Sequence, residues 1–219
     1  MRTFEELDLR KELIMRMREC GYLTPSPIQS RGLLPLLSGQ DLIAEAPAGS
    51  GKTTGYTIGV LQIVSPLIAE TQALILASSS ALAKVIALNF KDLGSHMGVT
   101  VQAGIGASSV STRDRRASTE PTQAHVVVAT PQCALDMLKC GTLHVSQLRV
   151  VVLDDGEKLL CASSPRLILE VLQALPSATQ ACLYASVLEP EVLDLAKSFM
   201  MDPVSLLVPP EELSLSGVR

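Results

Sequence analysis

The sequence predicts an α/β domain: a mostly parallel β-sheet with helices on both faces. Three observations predict it. Short, wholly apolar runs rich in β-branched residues recur, as in Val126-Val127-Val128-Ala129 and Val150-Val151-Val152-Leu153. Strands buried on both faces read this way, whereas a half-exposed strand alternates polar and apolar residues. Segments of helical period separate these runs, the order that parallel sheets require. Finally, 47% of the residues are hydrophobic and only 18% charged, which suits a doubly covered sheet. The 219 residues are enough for one large domain with a substantial core.

The elements follow in order. Helices are predicted from about Asp8 to Glu19 and from Pro27 to Leu37. The second has Ser26 as N-cap and a proline at its first turn, where the missing N–H costs nothing. A strand at 41–46 leads through a glycine-rich turn to a helix over Thr54 to Leu67. Strand 73–77 is followed by a helix over Ala81 to Leu93. Strand 99–103 precedes a short helix near 112–117, and strand 126–129 precedes helix 132–139. Strand 150–153 ends at Asp154. Helix 166–174, strand 181–184, helix 189–199 and strand 204–208 complete the chain. The stretch 118–122 is the most linker-like, but it is too short to divide domains.

The strand at 41–46 runs into Ala46-Pro47-Ala48-Gly49-Ser50-Gly51-Lys52-Thr53, directly before a helix. This is the strand, glycine loop, helix order of a phosphate-binding loop. The residues Ala48, Gly49, Ser50 and Gly51 would turn backbone N–H groups towards phosphate oxygens, and the helix N-terminus adds a favourable dipole. Lys52 would reach the β- and γ-phosphates, and the Thr53 hydroxyl would hold Mg²⁺. About a hundred residues later an apolar strand ends in Asp154-Asp155. Ligands of open parallel sheets sit at the carboxyl ends of strands, so Asp154 can hold the same Mg²⁺ through water and Asp155 can orient the attacking water. Alone, this pair reads as a solvated turn; the upstream loop favours the functional reading.

Other classes are disfavoured. No apolar run reaches membrane-spanning length, and the charged start Met1 to Glu6 lacks the apolar segment of a signal peptide. Five scattered cysteines without C-x-x-C spacing read as buried reduced thiols of an intracellular protein. Three histidines share no metal-ligand spacing. A net charge of −4 argues against strong sequence-independent binding to nucleic acid.

From Phe4 to its end the chain resembles the first RecA-like domain of the DEAD-box RNA helicases. Gly21-Tyr22-Leu23-Thr24-Pro25-Ser26-Pro27-Ile28-Gln29, with Phe4 seventeen residues before Gly21, is similar to that family's Q motif, and Ala46 to Thr53 is similar to its motif I. The tail, Ser198 to Pro203 and then Glu211 to Leu215, is similar to the translation-initiation-factor branch. The resemblance implies a Q-motif region over 1–40 packed on a RecA-like P-loop domain over 41–219. It also implies ATP and Mg²⁺ as cofactors, Gln29 reading the adenine edge, and Tyr22 or Phe4 stacking on the base. In the family a second RecA-like domain follows, and this sequence ends where the connecting linker would begin. The chain is expected to be monomeric alone.

The departures from the family pattern shape the functional expectation. Where the family has D-E-A-D, this chain has Asp154-Asp155-Gly156-Glu157. The metal-binding Asp154 is kept, but the water-orienting carboxylate is one methylene shorter. A retraction of about 1 Å can cost on the order of 100-fold in rate. Where the family has S-A-T, the chain has Ala185-Ser186-Val187. By the resemblance, that motif bonds the last acidic residue of the box, here Glu157. Both sides of the contact have changed, so Glu157 and Ser186 are the residues in which the coupling of ATP to RNA states is altered. The arginines of the family's P-T-R-E-L-A and T-P-G-R are replaced by Ser80 and Cys133. Their loss should lower the salt slope of RNA binding by about 2, leaving backbone N–H groups near Gly106 and Thr130 as weak RNA contacts.

The expectation is an ATP-binding domain with weakened ATPase and RNA binding, acting as a scaffold or regulated partner in a ribonucleoprotein, translation or RNA-processing complex. Alone, it should have negligible ATPase activity. The alternative is a working ATP-dependent RNA helicase once the second domain is present. A small-molecule P-loop kinase would explain the loop and Asp154 but not the Q-motif stretch.

Overall fold

The computed structural model describes residues 3–104, 122–161 and 165–215. The helix expected near 112–117, most of the linker-like stretch, and Gly106 lie outside them. Among the described residues, seven strands form one sheet: β1 (Leu42–Glu45), β2 (Ala73–Leu76), β3 (Val101–Gly104), β4 (Val126–Ala129), β5 (Val150–Asp154), β6 (Gln180–Ala185) and β7 (Val204–Leu207). Their order is β3-β4-β2-β5-β6-β1-β7, and every neighbouring pair is parallel. The fold class is therefore the one expected.

The four strands β2, β4, β5 and β6 are buried along their whole length, whereas the edge strands β3 and β7 alternate. Successive side chains point to opposite faces of the sheet and form two cores. Ala44, Ile75, Val128, Val152 and Tyr184 join the core under α1 (Lys11–Glu19), α2 (Pro27–Ser38), α3 (Lys52–Ile63) and α4 (Ser80–Leu93). Ile43, Leu76, Val127, Val151 and Leu183 join the core under α5 (Pro131–Lys139), α7 (Pro165–Gln173) and α8 (Pro190–Phe199). Among the described residues, two short α-helices lie outside the sequence expectation, α6 (Gly156–Cys161), directly after β5, and α9 (Pro210–Leu215), as does a single 3-10 turn at Phe4–Glu6. Six residues are too few to show a helical period.

Local signals explain the helix starts. Ser26, before Pro27, gives its backbone N–H to Gln29 Oε1 at 2.9 Å, the reverse arm of a capping box. Ser79 Oγ accepts the Leu82 N–H, and Thr130 Oγ1 accepts the Cys133 N–H. Helix α2 closes at Gly39, in the left-handed region at φ 79°, where glycine carries no Cβ penalty.

The edge strand β3 is pinned by a buried imidazole. The Thr100 N–H donates to His125 Nδ1 at 2.9 Å, and burial lowers the imidazole pKa from its ordinary 6.5. A lowered native value means that the unfolded chain binds more protons between that value and 6.5. Stability is thus complete above 6.5 and is lost as pH falls through the native value. His125→Gln is expected to flatten this slope in thermal melts recorded as a function of pH, and an unchanged slope refutes the assignment.

Candidate functional site

The strand order places the ends of β5, β6 and β1 side by side. Asp154, Ser186 and the loop 46–51 therefore meet at one edge. The loop turns on Gly49 (φ 78°) and Gly51 (φ 91°), both in the left-handed region that disfavours side chains. A Cβ on Gly51 would sit 2.6 Å from Gln29 Nε2. Ala48 and Gly49 are exposed, and Ser50 is buried.

Lys52 begins α3 and is 9% exposed. Its ammonium donates to the carbonyl of Ala46, to that of Pro47 at 3.0 Å and to Ser186 Oγ at 3.4 Å. Burial lowers its pKa, opposed by the charges of Asp154, Glu157 and Asp155. Asp154 ends β5 and is 3% exposed. Its Oδ2 accepts from Tyr56 OH at 2.8 Å and from Thr53 Oγ1 at 3.5 Å, and its Oδ1 from the Asp155 N–H at 3.1 Å. Burial raises the Asp154 pKa, and the Tyr56 hydrogen bond opposes the rise.

Asp155 is held differently. Its backbone is in the left-handed region at φ 58°, and its Oδ2 accepts from Ser78 Oγ at 3.1 Å and Lys158 Nζ at 2.9 Å. Ser78 stands where the family has proline, which has no hydroxyl to offer. Glu157 Oε2 accepts the Ser186 N–H at 3.2 Å. The contact between these two altered motifs is thus present, and its donor is a backbone N–H that any residue but proline supplies at 186. The Ser186 hydroxyl adds a link to Lys52 that the family's alanine cannot make.

The Q-motif residues pack against the loop. Gln29 is 6% exposed; its Nε2 donates to the Gly51 carbonyl at 3.0 Å while its Oε1 holds Ser26. Glycines at 51, 55 and 59 face α2: a Cβ on Gly55 would lie 3.1 Å from Gln29 Cγ, and one on Gly59 would lie 2.2 Å from Leu36 Cδ2. Gly55 and Gly59, four residues apart on one face of α3, with Gly51 just before the helix, let α2 approach α3 closely. Phe4 is in the core at 4% exposure, while Tyr22 is half-buried. Thr130 caps α5 at the end of β4. Tyr56, Ser78, Lys158 and the glycine face are participants that sequence reasoning missed. The glycine spacing was the one signal available.

Nucleotide phosphates with Mg²⁺ fit these residues. Ser50 Oγ and Ser26 Oγ, beside the loop, are buried without a hydrogen-bond partner. Thr53 and Asp154 bring together the hard oxygen donors that Mg²⁺ takes.

A parallel sheet that sets a glycine loop beside an aspartate-ended strand defines a P-loop nucleotide-binding domain. More narrowly, the chain belongs to the DEAD/DEAH box helicase family, whose sequence model matches residues 26–193. It is 36% identical over 217 residues to the ATP-dependent RNA helicase fal1 of Aspergillus fumigatus, covering 99% of this chain and 54% of that one. It is 37% identical to the Drosophila melanogaster eukaryotic initiation factor 4A over 217 residues, with 99% and 53% covered. The chain thus spans about half the length of these relatives. Among solved structures, it is similar to Saccharomyces cerevisiae Dbp5 bound to RNA and ADP BeF3, with a TM-score of 0.86, 27% identity, and 97% and 54% of the two chains covered. It is also similar to a DEAD box protein from the hyperthermophile Methanococcus jannaschii, with a TM-score of 0.86, 25% identity, and 94% and 56% covered. These neighbours have the RecA-like domain. Among the described residues, no helix is long and apolar enough to cross a membrane.

Proposed function

We propose that this chain is the ATP-binding domain of a DEAD-box-type RNA helicase in which nucleotide binding is kept and hydrolysis is weakened. It comprises a Q-motif region over 1–40 and a RecA-like region over 41–219. The observation that carries this reading is the contrast between two neighbours. Asp154 lies with Lys52 and Thr53 at the loop, whereas Asp155 is turned onto Ser78 and Lys158. Gln29 and the half-buried ring of Tyr22 recognise the adenine. The loop N–H groups and Lys52 bind the phosphates, and Thr53 and Asp154 hold the cation. Mg²⁺, when bound, neutralises charge on the β- and γ-phosphates. Asp155, short and doubly tethered, orients the attacking water poorly.

RNA binding is weak in this reading, since two arginines are replaced and the Gly106 and Thr130 backbones remain. The role is intracellular, as a scaffold or regulated subunit in a ribonucleoprotein complex. The related Dbp5 has been solved with RNA and with the proteins Gle1 and Nup159, which supports partners of both kinds. A second reading, an active helicase once a second RecA-like domain is joined, is favoured by the Glu157–Ser186 bond, which keeps those two motifs in contact.

Calorimetric titration of ATP–Mg²⁺ and ADP–Mg²⁺ tests the reading, with Lys52→Ala as control. Saturable binding that the control lacks is expected. No binding up to about 1 mM, the range of affinities near 4 kcal/mol, overturns it.

A further inference from the structure

Tyr56 lies on α3 one turn beyond Lys52 and is wholly buried. Its ring is flanked by Phe90, with centroids 6.2 Å apart, and by Tyr184 at 5.2 Å. Packing explains the ring but not the hydroxyl. A buried hydroxyl is costly unless bonded, and this one donates to Asp154 Oδ2 at 2.8 Å. Thr53 Oγ1 approaches the same oxygen at 3.5 Å. Tyr56 therefore bonds, from inside the core, the carboxylate that faces the loop beside Thr53. With the Asp155 N–H on Oδ1, it fixes both the position and the rotation of that carboxylate.

We propose that Tyr56 is a positioning residue for the divalent cation, holding Asp154 in the orientation in which it and Thr53 take Mg²⁺ together with nucleotide. Groups that orient metal ligands in this way typically change metal affinity 10- to 100-fold when removed. The proposal rests on the nucleotide–Mg²⁺ reading above. The rings of Phe90 and Tyr184 pack beside Tyr56, so its hydroxyl meets Asp154 from within a filled core.

The test compares ADP affinity in EDTA and in saturating Mg²⁺ for the wild-type chain, Tyr56→Phe and Tyr184→Phe. The ratio of the two affinities isolates the cation. Tyr56→Phe is expected to bind ADP in EDTA within about 2-fold of wild type and to lose about 10-fold of the Mg²⁺-dependent gain. Tyr184→Phe, which deletes a neighbouring buried hydroxyl and leaves the Asp154 bond intact, is expected to keep the full gain. Electron paramagnetic titration of Mn²⁺ into the ADP-saturated proteins should give the same order. A Tyr56→Phe ratio equal to wild type overturns the proposal, as does an equal loss with and without Mg²⁺, which marks a merely structural role. A matching loss in Tyr184→Phe overturns it too. Absence of ADP binding to the wild-type chain in both conditions removes the nucleotide reading itself, a result distinct from all of these.

Discussion

Asp155→Glu is expected to raise RNA-stimulated ATP hydrolysis on the order of 100-fold, measured with this chain joined to the second RecA-like domain of a curated relative. Two causes act on the same carboxylate. It is one methylene short, and its Oδ2 is held by Ser78 Oγ and Lys158 Nζ. The Lys158 contact is exposed and carries little energy on its own. The Ser78 hydroxyl, at the end of β2, is the tether that fixes direction. Ser78→Ala alone should therefore give a rise smaller than Asp155→Glu, because the freed carboxylate is still short. The two changes together should depart from the product of their separate effects, since both act on one group and are not independent. If Asp155→Glu leaves turnover unchanged with and without Ser78→Ala, then Asp155 does not limit catalysis.

Much of this was legible in the sequence, for definite reasons. Strands such as 126–129 and 150–153 are wholly apolar because they lie in the middle of a covered sheet, so their pattern is unambiguous. The loop Ala46 to Thr53 is legible because phosphate binding requires glycines, lysine and threonine at fixed spacing. The tether of Asp155 was not legible. It depends on β2 lying beside β5, with Val150 opposite Ala73, so that Ser78 and Asp155 emerge at neighbouring strand ends. The bond between Tyr56 and Asp154 spans 98 residues and likewise follows from topology. Short α6 escaped because its six residues begin within the acidic box itself. The Glu157–Ser186 contact survives two side-chain changes because its donor is backbone, which a comparison of side chains does not register.

Gly59→Ala is expected to destabilise the chain by about 1–3 kcal/mol, the cost of overpacking a filled core. At an open helical site the same change would gain about 0.5–1 kcal/mol, so the sign is diagnostic. The opposing force is steric. A Cβ at 59 would meet Leu36 Cδ2 at 2.2 Å and Cγ at 2.9 Å, and Leu36 is wholly buried. Relief requires Leu36 to change rotamer or α2 to move away from α3. Leu36→Val should recover part of the loss, giving a coupling of about 1 kcal/mol between the sites in a urea-denaturation cycle. The second consequence is functional. Gln29 rides on α2 and bonds the Gly51 carbonyl, so moving α2 outward pulls Gln29 from the loop. Gly59→Ala should then weaken ADP binding while Lys52, Thr53 and Asp154 remain untouched, and Leu36→Val should restore it in the same proportion as stability. Stability lost without affinity would mean that α2 holds its place and Leu36 alone gives way. A stabilised Gly59→Ala would show that the two helices are not in close contact, and the glycine face would need another explanation.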